Sequence, residues 1–222
     1  MRVNPPPPSN SGTPGRRYGG VDPEERQRQR RDRLVDAGLA VFGDQGFHAS
    51  TVRDVCRQAQ LTSRYFYESF ESMEALFCAV YTDINRGLMR NTIAALSQCQ
   101  PTAEDCSEAA LRAFLEFIRE DPRRARVALI DALNVGERMT TLAQQANQDF
   151  SRLTAGFLEQ FFPEVTKLGL NPVIVADGLV GAANRIATQW VATRCEAPLD
   201  EVLHNSAMLF KACASYTRQA LA

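Results

Sequence analysis

From Pro23 to the C-terminus, apolar residues recur at every third or fourth position, and one-on, one-off alternation is almost absent. That spacing returns side chains to one side of a 3.6-residue turn, whereas a half-buried strand needs a period of two. Most prolines and glycines fall where such helices would end. The chain is therefore expected to be all-α, with helices burying one stripe each against other helices. No apolar run reaches the roughly 18 residues of a membrane-spanning helix, so no membrane partner is expected.

The opening "MRVNPPPPSNSGTPGRRYGG" lacks the apolar segment of a secretory signal and reads as a disordered Pro/Gly-rich tail over 1–22. Cysteines at 56, 78, 99, 106, 195 and 213 form no CxxC pair and no disulfide-framework spacing. A reducing cytoplasm is the simplest home, with most thiols packed as small hydrophobes. Cys99 and Cys106 flank Pro101 in an expected loop and could bridge, so redox sensing stays open beside burial. His48 and His204 are isolated, and no nucleophile motif or Gly-rich phosphate loop occurs. No enzyme activity, metal site or cofactor is expected.

Gly46 closes a first helix over 23–45, whose stripe is Leu34, Val35, Leu39 and Phe42. Thr51 suits the N-cap of a second helix over 52–59, with Val52, Val55 and Ala59 inward. Thr62 or Ser63 would open a third, ending near Phe70, and Ser72 starts a long fourth reaching about Gln98. Two short helices separated by three or four residues make a helix-turn-helix, here an N-terminal three-helix DNA-binding domain over 23–71. Residues 72–222 form a larger helical domain for effector binding and dimerisation, with further helices near 103–120, 122–134, 137–162, 172–195 and 199–220.

A net charge of −1 hides a local cluster, since "RQRQRRDR" at 26–33 carries five arginines, with Arg16 and Arg17 ahead of it. Phosphate attraction acts over a Debye length, so the patch matters more than the total. The alternative is a solvated helix face paired with Glu24 and Glu25.

The stretch "LVDAGLAVFGDQGFHASTVRDVCRQAQLTSRYFYESFESMEALF", Leu34 to Phe77, resembles the tetracycline-repressor (TetR) family of bacterial transcriptional regulators. Its pattern falls on Phe42, Gly46, Phe47, Thr51, Phe66, Tyr67, Phe70, Glu74 and Leu76. The resemblance implies that Phe66 and Phe70 pin a recognition helix onto Val52, Val55 and Phe42. Ser63, Arg64, Tyr65 and Tyr67 would then face a DNA groove. Arginine can hold guanine bidentately, and tyrosine can meet phosphate or the thymine methyl. Arg30, Thr51, Arg53 and Thr62 complete the expected DNA-contacting set, while Arg57 is either a phosphate contact or simply solvated. Tyr65 and Tyr67 could instead pack on the first helix. Three positions depart from the pattern: Gln60 stands where glycine is usual, Met73 where lysine often is, and Glu68 and Ser69 where basic or aromatic residues are common.

Leu199, Val202, Ser206, Leu209, Cys213, Tyr216 and Ala220 make a three-and-four seam, widened by Leu203, Ala207 and Phe210. With Gly178, Gly181 and Ala182 on the preceding helix, it reads as a dimer interface or as core. The resemblance implies a homodimer on a palindromic operator of double-stranded DNA, released by a small-molecule effector. Phe114, Phe117, Met139, Phe150, Asn184 and Trp190 are the candidate pocket residues, with Phe157, Phe161, Asn147 and Gln189 nearby. The rival reading is a helical small-molecule-binding or redox-sensing protein with weak or lost DNA binding.

Overall fold

The computed structural model of the chain describes residues 22–222. The expected tail, with Arg16 and Arg17, lies outside the described residues except for Asp22. In order come α1 (Pro23–Gln45), α2 (Val52–Ala59), α3 (Ser63–Ser69), α4 (Met73–Leu96), α5 (Ala103–Glu120) and α6 (Pro122–Ala125). A π-helical turn (Arg126–Ile130) and a 3-10 turn (Asp131–Asn134) follow. Then come α7 (Glu137–Phe161), a 3-10 turn (Val165–Leu168), α8 (Pro172–Ala192) and α9 (Leu199–Leu221). No strand occurs among the described residues.

Local chemistry places the breaks. The Asp22 carboxylate accepts from the Glu24 N–H at the start of α1, with Pro23 in the first turn, where its missing N–H costs nothing. Gly46 ends α1 with φ +86°, and a Cβ there would come within 2.7 Å of the Arg126 guanidinium. Gly43 is needed for another reason: an added Cβ would sit 2.2 Å from the Arg123 Cβ, so α1 and α6 touch through bare backbone. Thr51 and Asp54 close a reciprocal capping box on α2.

One core runs through the first half and beyond it. Leu34, Phe42, Val55, Phe66 and Phe70 pack with Leu76, Phe77 and Val80 of α4, and the cluster continues to Met139 and Ala143 of α7. A second core joins Leu111, Leu115 and Ile118 of α5 to Ala187 and Trp190 of α8 and Val202 and Leu203 of α9. Helix α4 is thus a shared beam, its first turns in the N-terminal core and its later turns against α5.

Two expectations change. The continuous helix near 122–134 is instead one α turn followed by a π turn and a 3-10 turn. No proline or glycine interrupts it; Arg126 and Asp131 are drawn to the turn after α1, and those bonds outweigh regular helix geometry. The seam of α9 is also divided. Leu199, Val202, Ser206, Leu203 and Ala207 are buried inside this chain, because the first half of α9 lies on α5 and α8. Leu209 and Cys213 are half-buried, while Tyr216 and Ala220 are exposed.

Candidate nucleic-acid interface and effector cavity

A seven-residue helix has too few hydrogen bonds to persist alone, so α3 depends on its anchors. Phe66 is wholly buried and Phe70 nearly so, their ring centroids 6.0 Å apart. Gln60 makes the turn before it with φ 53° and ψ 44°, the left-handed conformation that glycine would adopt without strain. Its N–H donates to the Arg57 carbonyl, and the Leu61 N–H to that of Cys56.

With one face anchored, α3 turns Ser63, Arg64, Tyr65 and Tyr67 outward, all exposed. Tyr67 is 62% exposed, whereas Tyr65 is 36% exposed and lies under the Arg30 guanidinium, 4.7 Å from its ring centroid. Arg64 donates through Nε to Glu68 Oε1 at 2.9 Å, a surface pair that competes with any base it would hold. Thr62 occupies the N-cap of α3 but its hydroxyl makes no capping bond. The Thr51 hydroxyl is already engaged, donating to Asp54 Oδ2 and accepting from the Asp54 N–H. That bond, first among several causes, holds the Asp54 carboxyl below the usual carboxylate range. Arg57 pairs with Asp54 at 2.7 Å, while Arg53 is exposed with no ion-pair partner among the described residues. Met73 is half-buried against the core.

The arginine cluster of α1 holds the domain together as well as charging it. Arg28 pairs with Glu25, Arg31 covers the Phe70 ring, and Arg33 donates to the Ala59 carbonyl at the C-terminal end of α2. Arg30 ties α1 to α3 through Tyr65.

Behind this face lies a cavity of about 360 Å³ walled by α4, α5, α7, α8 and α9. Phe114, Phe117 and Phe150 line it, as do Phe157 and Phe161, whose rings stack. Its polar side includes Asn184, which donates through Nδ2 to Asn147 Oδ1 at 3.2 Å. Met139 and Trp190 are not in this wall. Met139 is buried in the N-terminal core, and Trp190 in the second core, its Nε1–H donating to the Ala197 carbonyl.

The segment that sequence reading took for plain helix touches both places. Ala128, Leu129 and Leu133 line the cavity. In the same stretch Asp131 accepts from the Phe47 N–H, Arg126 donates to the Asp44 carbonyl, and the His48 Nε2–H donates to the Asn134 carbonyl, each at 3.0 Å. Arg138, at the start of α7, pairs with Glu71 at 2.9 Å. These partners lie far apart in sequence, so no local pattern announces them.

A family model described as bacterial regulatory proteins, tetR family, matches residues 34–80, which span the second half of α1 through the first turns of α4. The chain belongs to the tetR family. Among curated relatives of this tetR-family chain, the uncharacterized HTH-type transcriptional regulator YdgC of Bacillus subtilis is 26% identical over 176 residues, 76% of this chain and 84% of YdgC. The HTH-type transcriptional repressor KstR2 of Rhodococcus jostii is 29% identical over 59% of this chain and 64% of its own length. The fold is shared with solved structures. A transcriptional regulator FadR from Bacillus subtilis, in complex with stearoyl-CoA, superposes with a TM-score of 0.70 at 15% identity, over 81% of this chain and 96% of FadR. A TetR-like regulator from Rhodococcus sp. RHA1 gives 0.65 at 21%, over 84% and 96%.

Proposed function

We propose that this chain is a sequence-specific DNA-binding transcriptional regulator, a repressor that a small apolar effector releases from its operator. The observation that carries the reading is α3 itself: Phe66 and Phe70 bury one face, while Arg64, Tyr65 and Tyr67 stand exposed on the other. Arg64 would read a base edge in the major groove, and the tyrosines, Ser63, Arg53 and Thr62 would meet the backbone or thymine methyls. Residues 23–71 would be the reading head, and 72–222 the effector-binding and dimerising body. No catalytic chemistry is assigned, and the cytoplasm is the proposed location.

A two-fold operator calls for a two-fold protein, with recognition helices about 34–36 Å apart along the duplex. The exposed faces of α8 and α9 would supply that dimer. Helical spacing puts Ile174, Gly178, Gly181 and Arg185 on one side of α8, and Met208, Ala212 and Tyr216 on one side of α9, all exposed. Gly178 and Gly181 have open space where a Cβ would stand, so another backbone can approach closely.

The effector acts through the wall. A ligand that displaced Leu129 or Leu133 would move Asp131 and Asn134, and with them the turn after α1. It shifts the balance only as far as it prefers the non-binding spacing of the two reading heads. The aromatic lining favours an apolar ligand with a polar end near Asn147 and Asn184. The stearoyl-CoA held by Bacillus subtilis FadR makes acyl chains the class to try first.

The deciding experiment selects duplexes from a random library with purified protein at two salt concentrations. Enrichment of an inverted repeat is the expected result. Equal, salt-sensitive binding to all sequences would overturn the reading and leave a helical ligand-binding protein.

A further inference from the structure

The turn between α4 and α5 brings two thiols together. Cys99, just past α4, and Cys106, in the first turns of α5, have their sulfurs 3.0 Å apart. Cys99 Sγ also reaches the Leu96 carbonyl at 3.3 Å, and Cys106 Sγ the Gln100 carbonyl at 3.5 Å. Cys99 is half-buried, whereas Cys106 is buried and faces the cavity. Cys56, Cys78, Cys195 and Cys213 make no such pair among the described residues. We propose that Cys99 and Cys106 are a dithiol–disulfide pair, a modification site in the cavity wall that hydroperoxides oxidise reversibly. The chemistry does not depend on the DNA-binding reading.

The two sulfurs take different parts. Burial, then the bond to Cys99 and its charge, push the Cys106 thiol up to about 12, so it stays protonated. Cys99, nearer solvent, is the sulfur that meets the oxidant. Its thiolate attacks the terminal peroxide oxygen, the O–O bond breaks, and the departing alkoxide or hydroxide takes a proton. Cys99 is left as a sulfenic acid. That product removes the neighbouring thiolate, one of the influences that kept Cys106 protonated. Cys106 sulfur then attacks Cys99 sulfur, the S–O bond breaks, and the hydroxyl leaves with the Cys106 proton as water. Each sulfur has lost one electron and the hydroperoxide has gained two. Closing the gap to the roughly 2.05 Å of a disulfide asks for a shift of about 1 Å. The new bond would tie the loop around Pro101 to the first turns of α5 and remove a thiol from the wall.

The test uses the full-length protein. Trypsin releases residues 91–112 as a single peptide holding Cys99 and Cys106 and no other cysteine. After hydrogen peroxide, unfolding and N-ethylmaleimide, this peptide should carry no label and weigh two hydrogens less, while the other four cysteines label fully. Dithiothreitol before labelling should restore both labels. In Cys106→Ser, dimedone should trap a sulfenic acid on Cys99. Two labels on the peptide after peroxide, or a Cys99 bridge to a second copy of the chain, would overturn the proposal.

Discussion

The Phe47 N–H, in the turn that follows α1, donates to Asp131 Oδ2 at 3.0 Å across 84 residues of chain. The same carboxylate lies 3.9 Å from Arg126, whose guanidinium also holds the Asp44 carbonyl. A cavity-lining segment is thereby fastened to the backbone that leads into the reading head. Asp131→Ala removes the acceptor and leaves a part-buried N–H unpaired, so urea unfolding should show a loss of about 2 kcal/mol. Asp131→Asn, which keeps an acceptor oxygen, should recover much of it.

Arg64 is held by a residue one helical turn along. Glu68→Gln frees its guanidinium and removes a negative charge from the groove-facing side, so operator affinity should rise a few-fold in fluorescence anisotropy. Arg64→Ala should cut discrimination between the operator and a scrambled duplex by roughly tenfold or more, with the circular dichroism spectrum unchanged.

Phe66 is the anchor of a helix that cannot stand alone. Phe66→Ala should cost about 3–5 kcal/mol and abolish selective DNA binding. Phe66→Leu, which keeps part of the buried volume, should be milder in both thermal melting and binding.

Gln60 sits in a conformation that suits glycine better. Gln60→Gly should stabilise the protein by about 1 kcal/mol in denaturant, because a Cβ strains φ 53°. The selected DNA sequence should not change, since Gln60 is in the turn and not on the outward face of α3.

The dimer proposal meets its check in sedimentation. Met208→Glu combined with Gly181→Arg places charge and bulk on the exposed faces of α9 and α8. The variant should sediment as a monomer with native helicity, whereas an unchanged sedimentation coefficient would place the contact elsewhere.

How much was legible follows from which interactions are local. Gly46 and Thr51 end and start helices through their own backbone and side chains, so α1 and α2 have the bounds that spacing predicts. The Phe66–Phe70 pair shows its burial in a four-residue interval. Other features depend on distant partners. Leu199 and Val202 repeat as regularly as Tyr216, yet α5 and α8 cover the first two and leave the last exposed. Trp190 lies in the right helix for the cavity but is held in the second core, its indole N–H drawn to Ala197. Asp131 carries no local sign of its role, since its partner is the backbone of Phe47.

The π turn at Arg126–Ile130 has a consequence for chain length. Its bonds, such as that from the Asp131 N–H to the Arg126 carbonyl, reach one residue further than those of an α-helix. One residue is therefore surplus to a regular helix there. Deleting it would give the segment smoother helical bonding, yet would swing everything beyond it by about 100° and turn Asp131 away from Phe47. A one-codon loss would thus leave each helix foldable while breaking the mechanical register between the cavity and the reading head. The number of residues in this turn, more than their identity, aims Asp131.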